Sequence, residues 1–228
     1  MKLPRTPAAV VFDMDGLLFD TEVLSQEAIQ LAAAEGGHEV AIDVFNRTVG
    51  LSWTQSRALL LSHFGEAFPV DQFQETWVRH FWMIAETRLA LKLGALELLD
   101  TLDQFRLPRA IATSSSRRTV ERHLTAHNLM GRFAEIVGHG DYERGKPAPD
   151  PFLRAAERLG VEPHLCLALE DSHNGVRSAS SASMMTIMVP DLLEPTDEIR
   201  GLCTFVARDL HGVRRAVLAA IGRQESQY

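Results

Sequence analysis

Short runs of consecutive apolar residues alternate along the chain with stretches in which apolar residues recur every three or four positions. The clear runs lie at residues 8–12, 110–112, 165–169 and 184–189, and weaker ones lie at 135–138 and 204–207. A short, wholly apolar run between helical stretches is typical of a strand that is buried on both faces. The pattern therefore predicts an α/β fold, with a parallel sheet covered by helices on both faces.

Helical periodicity is also strong between the first two predicted strands. Ser52 and Gln55 fit a capping box, and Phe73, Trp77 and Phe81 form a stripe at intervals of four residues. A strand crossover needs one helix, whereas this segment holds the pattern of several. We therefore expect an inserted all-α subdomain at residues 17–92.

The rest of the chain is expected to form one catalytic core, made of residues 1–16 and 93–228. Further helices are predicted in it at residues 94–102, 117–127 and 152–159. Asp150 and Pro151 precede the last of these as an expected N-cap and first-turn proline.

Composition narrows the class of protein. The chain is 46% hydrophobic and 23% charged, as in ordinary globular proteins, and its net charge of −7 disfavours a nucleic-acid footprint. No apolar run reaches the roughly 18 residues that span a bilayer, so no membrane role is expected. With two cysteines and no signal peptide, we expect a cytoplasmic protein. The sequence does not distinguish a monomer from a homodimer.

Acidic residues follow two of the predicted strands. Asp13 and Asp15 come directly after the first strand, and Glu170 and Asp171 follow the strand at 165–169. Each set alone fits an ordinary turn or a helix N-cap. Because ligands of open parallel sheets bind beyond the carboxyl ends of the strands, the two sets together favour a site for a hard cation such as Mg²⁺.

Hydroxyl groups and one lysine complete this set. Thr113, Ser114, Ser115 and Ser116 end the second strand and precede a helix, which is the arrangement of an anion site or of a simple cap. Lys146 lies in a proline-rich loop before another helix, and a lysine there is either solvated or directed at an anion. All the sets together indicate a site for a phosphate and a divalent metal.

These four motifs, in this order, resemble those of the haloacid dehalogenase superfamily, specifically its helical-cap phosphatase and β-phosphoglucomutase-like branch. The resemblance covers residues 8–190 and implies a Rossmann-like core with a helical-bundle cap. It implies that Asp13 is the nucleophile and that Asp15 is the general acid and base. Phosphate would be bound by Ser114, the Ser115 N–H and Lys146. It also implies that Mg²⁺ is held by Asp13, the main-chain carbonyl of Asp15 and Asp171, with Glu170 in or beside the shell.

The resemblance also bears on the reaction. Asp15 favours phosphoryl transfer over dehalogenation, and the expected activity is hydrolysis of a small phosphorylated metabolite, of the sugar phosphate or phosphoglycolate type. Mutases of this branch carry a cap arginine and a cap histidine where this chain has Trp53 and Ser25. Sugar-phosphate mutase and non-catalytic ligand binding stay as alternatives. Trp53 and Arg117 are the candidate specificity residues.

Overall fold

The structure is a computed structural model that describes residues 2–225, with the side chains of residues 2–222. Its centre is a parallel sheet of six strands in the order β3-β2-β1-β4-β5-β6. The strands are β1 (Ala9–Phe12), β2 (Arg109–Ser116), β3 (Glu135–His139), β4 (Cys166–Glu170), β5 (Met185–Met188) and β6 (Phe205–Val206). The predicted parallel α/β fold is therefore confirmed, and each apolar run corresponds to a strand.

Helices cover both faces of the sheet. They are α1 (Thr21–Glu35), α2 (Ile42–Asn46), α3 (Trp53–Phe64), α4 (Val70–Arg88), α5 (Ala95–Gln104), α6 (Arg117–Ala126), α7 (Asp150–Leu159), α8 (His173–Ser181), α9 (Asp197–Leu202) and α10 (Leu210–Glu225). No helix among the described residues is long and apolar enough to cross a membrane.

The alternation of side chains along β1 shows why its apolar run is continuous. Val10 and Phe12 belong to one buried cluster, which includes residues of α5, α6 and α10. Ala9 and Val11 point to the opposite face and belong to a second cluster, with residues of α7 and α8. Successive strand residues face opposite sides, so a strand that is buried on both needs apolar residues at every position.

One predicted helix start is wrong by a residue. Asp150 is the first residue of α7 and Pro149 is its N-cap. The Asp150 carboxylate instead accepts hydrogen bonds from the main chain and side chain of Arg144, at 3.0 and 2.9 Å. Ser116, by contrast, caps α6 as a serine cap should, by accepting a hydrogen bond from the Thr119 N–H at 3.2 Å.

Helices α1–α4 lie between β1 and α5 in the chain and have a hydrophobic cluster of their own. Its members include Ile29, Phe45, Leu60 and Phe73. Two chain segments lead into and out of these helices and run side by side. The Asp20 N–H donates to Ala90 O at 2.9 Å, and the Lys92 N–H donates to Leu18 O at 3.0 Å.

The sheet order places β1 between β2 and β4, with β2 and β3 on one side and β4–β6 on the other. Strand order reverses there, so a crevice opens beyond the carboxyl end of β1. Three strand ends meet at this crevice. The predicted site residues lie on these strand ends or directly after them.

Candidate active site

Three acidic side chains meet at the ends of β1 and β4. The Asp13 N–H donates to Leu169 O at 2.9 Å, which holds the chain after β1 beside the end of β4. One carboxylate oxygen from each of Asp13, Glu170 and Asp171 lies within 4.8 Å of the other two. Their exposed fractions are 6%, 0% and 3%, so the cluster is buried.

Lys146 reaches this cluster from the loop before α7. Its ammonium group donates to Asp13 Oδ1, and to Glu170 Oε1 at 2.5 Å. Burial lowers the pKa of Lys146, but Asp13 and Glu170 outweigh it and raise that pKa above its ordinary value. A buried lysine whose charged form is favoured thus lies against Asp13, the carboxylate that the family resemblance implies as the nucleophile.

Glu170 has both carboxylate oxygens engaged by protein donors. Its Oε1 accepts from Lys146, and its Oε2 accepts from the Asp171 N–H at 3.1 Å, the Ser172 N–H at 3.3 Å and the Ser172 hydroxyl at 3.1 Å. These contacts orient Glu170 toward holding Lys146, while Asp13 and Asp171 face each other with fewer donors.

The charges of Asp13 and Asp171 fit a divalent cation. Burial raises the pKa of Asp13 to about 8 even though Lys146 opposes the shift, and Glu170 and Asp15 raise it further. Burial, Asp13 and Glu170 raise the pKa of Asp171 well above its usual range. Buried, repelling carboxylate oxygens are the donor set that Mg²⁺ prefers.

Asp15 lies outside that group and points at the end of β2. The Ser115 hydroxyl donates to Asp15 Oδ2 at 2.7 Å, and the Thr113 hydroxyl donates to it at 3.5 Å. Ser114 borders the same cavity. The Ser115 N–H, which the sequence places on phosphate, donates to Thr113 Oγ1 at 3.1 Å. Two of the hydroxyls that were predicted as phosphate ligands or caps therefore orient Asp15.

A cavity of about 320 Å³ lies above these residues. The core contributes Asp13, Asp15, Ser114, Ser115, Lys146 and Asp171 to its wall. Helices α1, α3 and α4 and the segment between α2 and α3 cover it with mostly aromatic and neutral side chains: Ser25, Thr48, Leu51, Trp53, Ser56, Gln74, Trp77, Val78, Phe81 and Trp82. Lys146 is the only lysine or arginine among the described lining residues.

The two predicted specificity residues differ in placement. Trp53 opens α3 and lines the cavity. Its position is set by Ser52, whose N–H donates to Gln55 Oε1 at 3.0 Å as in the predicted capping box. Arg117 is not among the lining residues; its guanidinium is exposed and pairs with Glu121 at 3.0 Å. The structure brings Trp53 to the cavity and does not bring Arg117 there.

One acidic residue of the cavity wall was not predicted from the sequence. Glu22, in the first turn of α1, lines the cavity. Burial raises its pKa to about 8, and Asp15, Asp191 and Asp13 raise it further, against the opposing charge of Lys92. An acid in a first helical turn is common because of helix polarity alone, so nothing in the sequence pattern distinguishes Glu22 from an ordinary first-turn acid.

Comparison with known proteins identifies the family. The sequence pattern of the haloacid dehalogenase-like hydrolases matches residues 7–183. The chain is 36% identical over 196 residues to a probable pseudouridine-5′-phosphatase of Drosophila melanogaster, covering 83% of this chain and 84% of that one. It is 32% identical over 208 residues to protein CbbY of Cupriavidus necator, covering 85% and 82%. The chain belongs to the haloacid dehalogenase-like hydrolases.

A solved structure agrees with this assignment. The crystal structure of a hydrolase from Pseudomonas syringae matches with a TM-score of 0.79 and 25% identity, covering 91% of this chain and 96% of that one. The family and the Rossmann-like fold implied by the four motifs are therefore confirmed.

Proposed function

We propose that this protein is a Mg²⁺-dependent phosphatase that hydrolyses a small phosphorylated metabolite through an aspartyl-phosphate on Asp13. One observation carries the proposal: the buried Asp13 carboxylate touches Lys146, lies beside Asp171 and borders a cavity that Ser114 and Asp15 also line. A nucleophile, a cation for the phosphoryl group and a proton donor thus surround one space.

In the first step, an Asp13 oxygen attacks phosphorus and the bond from phosphorus to the ester oxygen breaks. Asp15 gives its proton to the departing alcohol oxygen. In the second step, Asp15 takes a proton from water, the water oxygen attacks phosphorus, and the bond from phosphorus to Asp13 breaks. Inorganic phosphate leaves, and both aspartates return to their starting states.

The remaining residues position the reactants. Lys146 and the hydroxyl of Ser114 contact the phosphoryl oxygens, and Ser115 and Thr113 hold Asp15 by the hydrogen bonds described above. Mg²⁺ would be held by Asp13, Asp171 and the main-chain carbonyl of Asp15, with Glu170 beside the shell, and it would offset repulsion between the anionic nucleophile and the anionic phosphate.

The cavity favours a substrate with one phosphate and an uncharged remainder. Lys146 already faces Asp13, and the described residues of the cap side offer no second lysine or arginine to the cavity. A bisphosphate or phosphoglycolate would place a second anionic group in the cavity, where it would have no lysine or arginine from the described cap side as a partner. The absence of a second lysine or arginine among the described lining residues, together with Trp53 and Ser25, thus favours a phosphatase of sugar phosphates, including nucleoside-like ones, over a mutase.

We also propose that residues 17–92 form the cap and residues 1–16 and 93–228 the core, which the separate hydrophobic clusters support. Leu17, Leu18 and Phe19 pack with the core cluster, so the cap helices proper begin at Thr21. The free cysteines, Cys166 and Cys203, support a cytoplasmic location for the enzyme.

Hydrolysis of p-nitrophenyl phosphate with Mg²⁺, and then with excess chelator, tests the proposal. We expect Mg²⁺-dependent release of phosphate that Asp13→Asn abolishes while the circular dichroism spectrum stays that of the wild type. A panel of sugar phosphates, nucleoside monophosphates, phosphoglycolate and bisphosphates then ranks substrates. Well-folded protein without turnover of any ester would contradict the proposal, and interconversion of sugar 1- and 6-phosphates would favour the mutase.

A further inference from the structure

His123, on α6, is a buried polar residue without a partner. Among the described residues, four buried side-chain nitrogen or oxygen atoms lack a hydrogen bond, and two of them are Nδ1 and Nε2 of His123. The residue has no exposed surface. A buried polar atom without a partner destabilises a fold, and natural proteins keep few of them. The presence of two such unpaired nitrogens on one buried ring therefore requires a physical explanation.

The ring lies where the cap meets the core, at the wall of the active-site cavity. Aromatic rings surround it: Phe19 at 5.4 Å, Trp82 at 5.2 Å and Phe81 at 6.0 Å between ring centroids. His123 and Thr119, one turn earlier on α6, both line the cavity that Asp13 and Asp15 border. His123 therefore belongs to the wall that a substrate bound in this cavity would face.

The surroundings of the ring indicate what it binds. Burial lowers the pKa of His123, and Arg122 and His127 lower it further, against the opposite effect of Asp15. The uncharged ring offers one donor and one acceptor, which is the complement of a hydroxyl group. An anion is a poor match, because one of the two nitrogens carries a lone pair and the neighbours are aromatic.

We propose that His123 is a specificity-determining residue that hydrogen-bonds a hydroxyl group of the substrate's leaving group. This inference rests on the proposed phosphatase function, because it concerns the alcohol that the same site releases. A substrate hydroxyl bonds one of the two ring nitrogens, and the cost of leaving that nitrogen unpaired falls on the free enzyme.

The test replaces His123 with leucine, which has a similar volume and no polar atom. We expect His123→Leu to raise the KM for ribose 5-phosphate about fivefold to tenfold, the effect of one lost hydrogen bond. The KM for p-nitrophenyl phosphate, whose leaving group carries no other hydroxyl, should change less than twofold. The Tm of the free enzyme should rise, because the unpaired nitrogens are gone.

Two further variants separate recognition from structure. His123→Gln keeps a donor and an acceptor at this position and should restore the KM for ribose 5-phosphate toward the wild-type value. His127→Leu is the matched control: its ring also packs on Phe19, at 5.3 Å between centroids, but it is not among the residues that line the cavity. It should leave both KM values unchanged.

A binding measurement makes the test independent of turnover. Ribose 5-phosphate titrated into Asp13→Asn and into Asp13→Asn/His123→Leu should give a Kd about fivefold weaker in the double variant. Equal Kd values, a parallel loss on both substrates, or a lower Tm without a change in KM would each overturn the proposal. Absence of p-nitrophenyl phosphate hydrolysis by the wild type would instead contradict the phosphatase function.

Discussion

Gly175 lies directly under the carboxyl group of Glu170. A β carbon on residue 175 would lie 1.9 Å from Glu170 Cδ, which no side chain tolerates. The first turn of α8 therefore approaches the end of β4 closely enough to bring the Ser172 donors onto Glu170. Through Glu170, this glycine fixes the position of Lys146 and so of the charge beside Asp13.

Gly175→Ala should push Glu170 out of place. We expect a Tm lower by several degrees, in line with the about 1–3 kcal/mol of an overpacked core, and a kcat at least about tenfold lower. Gly201→Ala is the control, since it lies in helix α9 with nothing within 4 Å of the added carbon. Thermal melts and steady-state kinetics of both variants check this. If the two variants have the same Tm and the same kcat, the position of Glu170 is not needed for stability or turnover.

Lys146→Met should leave two buried carboxylates without their shared cation. Removing one partner of a buried ion pair costs about 3–5 kcal/mol, so the free energy of unfolding of the metal-free protein should fall by that order. Turnover with Mg²⁺ should fall about a hundredfold or more, because the charge that faces the phosphoryl group is lost. Denaturant unfolding and kinetics measure both. A wild-type kcat in this variant would contradict the role given to Lys146.

The four motifs were predictable because their chemistry is local. Asp13 and Asp15 interrupt an apolar strand at its end, and Glu170 and Asp171 do the same on the neighbouring strand. Strand ends in a parallel sheet converge, so residues far apart in sequence meet without any knowledge of side-chain packing. The pattern of the chain thus predicted the fold and the convergence of these acidic groups at one edge of the sheet.

The residues that the sequence did not reveal depend on packing between cap and core. In the sequence, Glu22 is an ordinary first-turn acid and His123 an ordinary helical histidine. Their places in the cavity wall depend on tertiary packing. Arg117 is the opposite case, because its place beside the hydroxyl motif suggested an anion ligand. In the structure it pairs with Glu121 one turn later on an exposed helix face.

Asp15→Asn should separate the two chemical steps. p-Nitrophenolate leaves without a proton, so this variant should still form the phosphoenzyme and release a burst of about one equivalent of p-nitrophenol. Hydrolysis of the intermediate needs a base, so steady-state turnover should fall about 10²–10⁴-fold. Sugar phosphates, whose alcohols need protonation, should give no burst. Stopped-flow absorbance distinguishes these outcomes, and unchanged turnover would remove Asp15 from the acid–base role.

Glu22 should make the metal-free protein less stable as the pH rises. Its pKa is about 8 in the folded chain and 4.5 as its ordinary value, so the folded state binds the extra proton between these pH values. Its contribution to stability is complete below pH 4.5 and is lost as the pH rises through 8. Glu22→Gln should therefore raise the Tm at pH 8.5 by several degrees, and much less at pH 5.

The control for that prediction is Glu27→Gln on the same helix, where Glu27 is exposed and pairs with Arg88 at 2.7 Å. It should give a small Tm change that does not grow with pH. Melts with chelator present at both pH values provide the comparison. A Glu22→Gln protein that is less stable than the wild type at pH 8.5 would show that the carboxylate is stabilised rather than strained.

The most direct test of the central claim is to identify the residue that carries the phosphoryl group. Asp15→Asn protein is mixed with p-nitrophenyl phosphate and Mg²⁺, quenched in acid during the burst, and analysed by peptide mass spectrometry. We predict a phosphoryl adduct that fragmentation places on Asp13, and no adduct in the Asp13→Asn/Asp15→Asn double variant. A burst with the adduct on another residue, or turnover by the Asp13→Asn protein, would contradict it.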